Sequence, residues 1–349
     1  MSLINTLVAP LRAQYGGYDK NELRASRYAA WDLFLSDKNS SDSFLNSDTQ
    51  NKIESQFALD VQIPVIDFDG TVSINSGSRP PLVIADDENT SQIITATSVD
   101  YWFGFTMYPA QYADGQNSIG YQADFNRKMK KYLLEIAGLF DTQCISVLDT
   151  NKSQVIANPI DYAVSGDTLN ATLAQKLKIF ADLEPIMNSN DYYAEAMKVI
   201  GNTGVQALVK EIGLNRDNDK GEYVTGLDFS YSNRVTNAAN KLGTGYAVQP
   251  GNFAALWQNA PDNRAKSRIG GGQIEWDIMK SAPIIGVDLD TYYYENAADA
   301  SALNASTAWA TQTKVEGFIF GTRLFLLSAY NSDIANIASP VLKFDVATT

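Results

Sequence analysis

Residues 117–149 read NSIGYQADFNRKMKKYLLEIAGLFDTQCISVLD and contain the strongest structural signal in the sequence. Its apolar side chains recur at every third or fourth position: Phe125, Met129, Tyr132, Ile136, Phe140, Cys144 and Val147. That spacing is typical of one stripe along an α-helix. A helix of about 32 residues is about 48 Å long at 1.5 Å per residue, several times the average length. The sequence therefore predicts one long helix, capped by Asn117 or Ser118 and not stopped by Gly138.

The segment before this helix alternates with a period of two. Its odd-numbered positions carry apolar or β-branched side chains: Ile93, Thr95, Thr97, Val99, Tyr101, Phe103, Phe105 and Met107. This pattern predicts one long strand with one buried face. Residues 57–63 alternate in the same way, and Asp67 to Gly70 separates them from the β-prone residues 71–74. Asp-Gly between two such runs predicts a β-hairpin.

The rest of the chain contains both the helical spacing of apolar residues and the alternating spacing of strands. A helix is expected from about residue 21 to residue 35, capped by Asp19 or Asn21, followed by a polar linker at 36–51. Further helices are expected at 169–183 and 204–212, capped by Thr168 and Thr203, with Glu184-Pro185 and Gly213 as their ends. Strands are expected at 196–200, 222–231, 273–280, 284–294, 315–329 and 340–346. Because strands and helices do not alternate regularly, the predicted fold class is α+β.

The composition excludes several kinds of chemistry. The 349 residues contain no histidine and one cysteine, so a Ser-His-Asp triad, a Cys-His pair and a His-ligated metal are excluded. Lys plus Arg number 27 and Asp plus Glu number 40, and the net charge of −13 argues against a main surface that binds nucleic acid. Neither a secretory signal nor an apolar run of about 20 residues is evident, so no membrane role is expected.

One motif has a possible chemical interpretation. Residues 65–71 read VIDFDGT, which resembles the first motif of the haloacid dehalogenase phosphatases. The resemblance implies Asp67 as nucleophile, Asp69 as acid/base and magnesium bound by both. Asp288 and Asp290 could mimic the family's closing pair of acids. The alternative interpretation is that Asp67 to Gly70 is a turn, and we favour it because the flanks look like antiparallel strands.

Other groups have a structural and a functional interpretation. Arg127, Lys128, Lys130 and Lys131 form a basic group on the polar side of the long helix. It is either a solvated face or a surface for nucleic acid or an acidic partner subunit. The glycine-rich segments 243–245 and 270–272 are expected to be flexible loops, and the acidic run 86–88 a solvated loop. Cys144 is expected to be a buried thiol.

The order of these elements resembles the major capsid proteins of tailed bacteriophages, the Hong Kong 97-type fold. An extended arm, a long two-stranded hairpin, a strand entering a long helix, a mixed α/β region and late strands follow one another in that family. The resemblance covers nearly the whole chain and involves no diagnostic motif. It implies an arm at 1–50, an extended hairpin with its following strand at 51–108, the spine helix of a peripheral domain at 109–165, an axial-type region at 166–270, and completing strands at 271–349.

The resemblance also implies a function. Such a chain would self-assemble as hexamers and pentamers into an icosahedral head that encloses double-stranded DNA. It would not be an enzyme, and it would have no catalytic, cofactor-binding or metal-binding residues. Its partners would be further copies of itself, possible scaffold, portal and decoration proteins, and packaged DNA touched only non-specifically. It would be assembled in the host cytoplasm and located in the virion.

Overall fold

The structure is a computed structural model. It describes residues 28–40, 43–55, 60–66, 91–112, 119–156, 160, 162–190, 192, 197–215, 227–259, 268–269, 272–298, 313–329 and 338–348. The helices are α1 (Ala29–Lys38), α2 (Ser47–Ser55), α3 (Ile119–Thr150), α4 (Ile179–Ser189) and α5 (Thr203–Asn215). The fold is α+β, as the sequence predicted.

The strands number fourteen within these described ranges. They are β1 (Asp60–Ile66), β2 (Ser91–Thr97), β3 (Val99–Met107), β4 (Ala163–Val164), β5 (Leu169–Ala171), β6 (Lys198–Gly201), β7 (Asp228–Tyr231), β8 (Lys241–Val248), β9 (Phe253–Gln258), β10 (Arg268–Ile269), β11 (Gly272–Met279), β12 (Leu289–Ala298), β13 (Thr313–Ser328) and β14 (Val341–Ala347). They form a two-stranded sheet and two six-stranded sheets.

The larger core lies between α3 and an antiparallel sheet. The order of that sheet is β10-β11-β12-β13-β3, and β9 pairs with the last part of β13. Alternate side chains of β3 and β13 point towards α3, where the rings of Phe125 and Phe318 lie 5.1 Å apart. Tyr101 meets Phe140 edge-on at 5.1 Å. The alternation in β3 and the helical stripe in α3 therefore meet in one aromatic core.

The prediction of one long helix is confirmed, with bounds Ile119–Thr150. Its buried stripe runs from Tyr121 through Phe125 and Met129 to Leu148. Gly138 lies within it, and a Cβ atom there would come within 2.5 Å of Nη2 of Arg234. The glycine thus makes room for a guanidinium group that packs against the helix. The predicted caps, at 117 and 118, lie outside the described residues.

Helix α1 is buried in this core. Trp31 and Phe34 have no solvent-exposed surface, and the Trp31 indole nitrogen donates to the carbonyl of Ile285 at 3.0 Å. The first turn of α1 has no cap from its own segment. Instead the Asp141 carboxylate, on α3, accepts the backbone N–H groups of Ala30 (2.9 Å) and Trp31 (3.1 Å). The predicted caps Asp19 and Asn21 lie outside the described residues.

The described part of the predicted arm is therefore packed into the core. The predicted linker at 36–51 is also partly wrong, because α2 begins at Ser47. Asn46 accepts the Thr49 N–H at 2.7 Å, which is an N-cap bond that the polar composition concealed. Ile53 on α2 is buried in a small apolar cluster with residues of β9 and β13.

The second six-stranded sheet has the order β4-β5-β14-β8-β6-β7. Strand pairs β5/β14 and β6/β7 are parallel, and the other pairs are antiparallel. The sheet shares an apolar core with α4 and α5, in which Phe180 meets Phe344 edge-on at 5.9 Å. This sheet combines strands from 163–248 with the last strand, β14. Strand β9, which also falls in the predicted axial-type region 166–270, belongs to the larger sheet.

Several predicted elements differ from the structure. The predicted helix at 169–183 is instead strand β5, a short 3-10 helix, and α4, which continues through Pro185. The parallel pairing of β5 with β14 outweighs the local helical spacing. Helix α5 continues past Gly213, and the side chain of Asn202, rather than Thr203, caps it by accepting the Val205 N–H at 3.0 Å.

The predicted flexible loop 243–245 is also wrong, because it lies inside β8. Cβ atoms at Gly243 and Gly245 would come within 2.8 Å of the Val205 nitrogen and 2.6 Å of the Phe344 ring. These glycines allow a helix and a ring to approach the strand closely. Strands β8 and β9 were not predicted at all. The expected strands at 196–200, 222–231, 273–280, 315–329 and 340–346 are confirmed as elements, with shifted ends. In the expected strand 284–294, the structure begins β12 at Leu289.

Candidate assembly surface

The alternating segment 93–107 is two strands, not one. Ser98 interrupts it, β3 joins the larger sheet, and β2 pairs with β1 in a separate antiparallel sheet. In that sheet Ile66 pairs with Ser91 and Asp60 with Thr97. A two-stranded antiparallel hairpin is therefore joined to the large sheet through Ser98, and residues 67–90 connect its strands at the opposite end. This connection, with the predicted turn and the strand predicted at 71–74, lies outside the described residues.

Next to that junction, the face of the large sheet turned away from α3 carries an exposed aromatic residue. Trp102 on β3 has 74% of its surface exposed. Across the sheet Trp102 pairs with Gly321, and the next row joins Gly104, Ile319 and Tyr292. Because Gly104 and Gly321 have no side chains, nothing at these two positions covers the tryptophan ring.

A cavity of about 200 Å³ opens at the same place, where the partner of β13 changes from β12 to β9. Arg323 binds Asp100 through two nitrogens, at 2.7 and 3.1 Å, on its wall. Gln258 and Thr322 also line it, and their Oε1 and Oγ1 atoms have no hydrogen-bond partner among the described residues. A large exposed tryptophan beside an arginine is a combination that is common at the centre of protein–protein interfaces.

A second recess lies on the outer side of α3, beside the other end of β3. It has a volume of about 430 Å³ and is lined by Phe105, Thr106, Arg127, Lys128, Lys131 and Tyr132. Because β3 is an edge strand in the described sheet, the recess is open on that side. Lys128 donates to the carbonyl of Thr106 at 3.0 Å. We call this recess the basic cleft.

Two cations of the basic cleft pair with the Asp124 carboxylate. Asp124 accepts from Arg127 at 2.7 Å and lies 3.2 Å from Lys128. Partial burial works to raise the pKa of Asp124, but hydrogen bonds from Arg127, Lys128 and Tyr112 together lower it. Lys131 is exposed and makes no ion pair with any described residue. Asp124 thus neutralises only part of the charge of Arg127 and Lys128, and Lys131 adds an exposed positive charge beside them.

Three of the buried carboxylates, Asp37, Asp141 and Glu316, join distant parts of the described chain. Asp141 also accepts from the Ser232 hydroxyl at 2.6 Å, and burial raises its pKa. Glu316 accepts from the Tyr121 hydroxyl and pairs with Lys314 at 3.0 Å. Asp37 accepts the Gly251 N–H at 2.8 Å, and burial raises its pKa to about 6 despite hydrogen bonds from Gly251 and Phe253 and the charge of Lys198. The hydroxyl and backbone N–H donors that these acids contact lie far from them along the chain.

Asp67 and Asp69 of the predicted phosphatase motif lie outside the described residues. The strand before them, β1, has one partner among those residues and pairs with it antiparallel, whereas the phosphatase motif needs a parallel strand. Asp288 pairs with Lys280 at 2.6 Å, and Asp290 lies 3.4 Å from the Asn259 amide. The phosphatase alternative therefore has no support.

Other candidate groups have structural positions. Cys144 is fully buried on α3, and burial raises its thiol pKa well above the ordinary value. In the part of the chain that the structure describes, no cluster of three or more acidic or cysteine side chains could hold a metal ion. No helix within the same ranges has the length and apolar character needed to cross a membrane.

No protein-family model matches the chain, and no curated protein matches it. Among solved structures, it is similar to one from Mycobacterium phage Che8, with a TM-score of 0.46 and 9% identity over 86% of this chain and 88% of that one. It is also similar to the capsid asymmetric unit of cyanophage Pam1, with a TM-score of 0.47 and 9% identity over 92% and 93% of the two chains. The capsid structure of cyanophage P-SCSP1u has a TM-score of 0.47, 9% identity and 84% coverage of each chain. At such identity no residue role passes to this chain.

Proposed function

We propose that this chain is a major capsid protein that self-assembles as hexamers and pentamers into an icosahedral phage head enclosing double-stranded DNA. The observation that carries the proposal is the two-stranded sheet β1/β2, joined to the large sheet through Ser98. Among the described residues it pairs with no third strand. An isolated two-stranded sheet is marginal in water, so this hairpin gains stability by lying against another subunit.

The aromatic face beside the hairpin supports the same function. A tryptophan with 74% of its surface exposed next to an ion pair and a cavity of about 200 Å³ is costly on a monomer surface and useful at an interface. The remainder of the subunit provides rigidity, because α3 is clamped to the large sheet by aromatic contacts and to α1 by Asp141. A rigid subunit that carries an unpaired hairpin can make the same contact with each neighbouring copy.

The finer parts of the proposal follow from that assignment. Copies of this chain are the main partners, and scaffold, portal and decoration proteins are further ones. The protein resides in the virion shell and is assembled in the host cytoplasm. Packaged DNA meets it only non-specifically, in keeping with the net charge of −13. The role is structural rather than enzymatic.

The test is the mass of the purified full-length protein by light scattering, with negative-stain images of the same sample. We expect rings of five or six subunits, tubes or closed shells above a threshold concentration. Images at several concentrations separate ordered assembly from aggregation, because aggregates have no repeating size. A protein that stays monomeric at every concentration, alone and on co-expression with the other head proteins of its phage, would contradict the proposal.

A further inference from the structure

The cavity beside the exposed tryptophan lies on the face of the large sheet that is turned away from α3. Residues directly opposite each other on paired strands point to the same face. In one such row Arg323 of β13 lies between Asp100 of β3 and Gln258 of β9. All three line the cavity, whose volume is about 200 Å³. Its wall therefore carries a cation, an anion and an amide side by side.

The neighbouring row forms the floor of the cavity. There Gly321 of β13 lies between Trp102 of β3 and Asp290 of β12. Because glycine has no side chain, it leaves a gap between the indole ring and the Asp290 carboxylate. The cavity is smaller than the roughly 300–1,000 Å³ of pockets for drug-sized ligands, so its size suits the end of one long side chain.

The charge of the cavity is negative. Its charged lining residues, among those described, are Asp100, Asp290 and Arg323, so two anions less one cation leave one negative charge. Hydrogen bonds to Asp100 raise the pKa of Arg323 against the effect of burial, and the charge of Asp290 raises it further. Both acids therefore lie near one guanidinium group, and the remaining negative charge attracts a second cation.

Two further groups at the cavity suit a cation. Gln258 is 1% exposed, its amide nitrogen donates to the Ile53 carbonyl, and its Oε1 atom accepts from no described residue. That oxygen can accept an N–H bond from an ammonium or guanidinium group. The ring of Trp102 is 74% exposed, and indole is the aromatic ring that attracts cations most strongly.

We propose that this cavity binds one ammonium or guanidinium group, which a second copy of this chain provides as a lysine or arginine side chain. The inference rests on the proposed function and names the chemistry of one contact between subunits. A second copy is favoured because the cavity adjoins the exposed Trp102, and such rings contribute most where a partner buries them. Since the cavity and the basic side chain are on every copy, the contact is head-to-tail and can repeat.

The first test measures binding to the full-length protein below the concentration at which it associates. The probes are N-acetylargininamide and its neutral analogue N-acetylcitrullinamide, at matched ionic strength. Hydroxyl-radical oxidation of Trp102, measured by mass spectrometry against the exposed Leu139 as reference, reports whether the cavity is occupied. We expect the arginine probe to protect Trp102 at about fivefold lower concentration than the citrulline probe, because only the arginine probe carries a charge.

A charge-removing variant locates the binding. Asp290→Asn keeps the shape of the side chain and removes its charge, so the preference for the arginine probe should disappear. Asp228→Asn, at an exposed acid of β7 in the second sheet, is the matched control and should keep the preference. Circular dichroism of both variants checks the fold. Equal protection by the two probes in the parent protein, or none, would overturn the inference, as would a preference that survives Asp290→Asn.

The second test identifies the source of the cation. We expect the arginine probe to raise the threshold concentration for assembly of the parent about fivefold, because it occupies the cavity that a neighbouring copy needs. The threshold of Asp290→Asn should be higher from the start and should not respond to the probe. If the probe binds the monomer and leaves the threshold unchanged, the cation has another source and the second copy is excluded. If the protein never assembles, the proposed function fails, whereas the first test still decides whether the cavity binds a cation.

Discussion

At the scale of single residues, buried acids tie the subunit together. Asp141 connects α1, α3 and the loop at Ser232, although it stands 110 positions from Trp31 in the sequence. Asp37 connects the end of α1 to Gly251 before β9. Sequence spacing cannot reveal such bonds, since each acid and its donors lie far apart along the chain. In the sequence, Asp141 was recognisable only as an acidic residue beside the apolar stripe of α3.

Asp37 makes the stability of the subunit depend on pH. Its folded-state pKa of about 6 exceeds the ordinary 3.8, so the folded form holds a proton that the unfolded form has lost between these values. The free energy of unfolding therefore falls as pH rises through this window, by about 3 kcal/mol in all. In Asp37→Asn this pH dependence of the free energy of unfolding should disappear. Urea unfolding of both proteins from pH 4 to pH 7 measures the difference, and parallel pH profiles would contradict the assignment.

Asn202 should contribute more stability than its neighbour Thr203. Asn202 is almost fully buried and accepts the N–H of Val205, at 3.0 Å, and of Thr244, at 3.4 Å. We expect Asn202→Ala to lower the free energy of unfolding by about 1–2 kcal/mol, as for other lost helix caps. Thr203 is exposed, and Thr203→Ala is the matched control with little expected change. Equal losses in the two variants would show that Asn202 is not the cap.

At the scale of elements, the hairpin β1/β2 stands apart from the two larger sheets, because among the described residues it pairs with no third strand. It follows directly from the break at Ser98, which sends β2 and β3 into different sheets. The alternating pattern of 93–107 continues across the break, so the sequence predicted one strand. Pairing partners, rather than local side-chain spacing, decide where the strand ends.

The connection 67–90 should be needed for assembly and not for folding. Ile66 and Ser91 are directly paired, so an Asn-Gly turn can replace the connection and close the hairpin. We expect this variant to have the melting temperature of the parent monomer but to form no rings or shells. Replacing only residues 72–83 with a Gly-Ser segment of equal length, which keeps the acidic run, is the control for loop length. Normal shells from the closed variant would exclude the hairpin end from the assembly contact.

The N-terminal segment has two parts with different expected effects. Residues 28–38 carry Trp31 and Phe34 in the core, so a deletion of 1–50 would unfold the subunit and would say nothing about assembly. A deletion of residues 1–27 removes no described contact and is the appropriate test of the proposed arm.

At the scale of the whole molecule, one face of the large sheet packs on α3 and the other carries Trp102 beside the hairpin. The second sheet, with α4 and α5, forms its own apolar core. Strand β14, near the end of the described chain, completes that second sheet between β5 and β8. The two cores are thus built from interleaved segments, and a boundary drawn once along the sequence cannot separate them.

Trp102 should contribute to assembly and not to the stability of the subunit. Its ring is 74% exposed, so Trp102→Ala removes little buried surface from the monomer and should leave its melting temperature unchanged. If the ring is buried between subunits, the threshold concentration for assembly should rise about tenfold or more, as for aromatic hot spots. Leu173→Ala, at an exposed apolar residue of the second module, is the control. Light scattering against concentration measures both, and equal thresholds for Trp102→Ala and the parent would exclude this face.

The α+β class, the long helix α3 and the inward face of β3 could be predicted from the sequence, because each depends on the periodic spacing of apolar side chains. The sequence also excluded histidine chemistry, which depends only on composition. The break at Ser98, the glycine-containing strand β8, the capping of α1 by Asp141 and the place of β9 became evident only in the folded structure. Each of these depends on a partner distant in the chain, and the free energy of such pairing has no counterpart in local sequence.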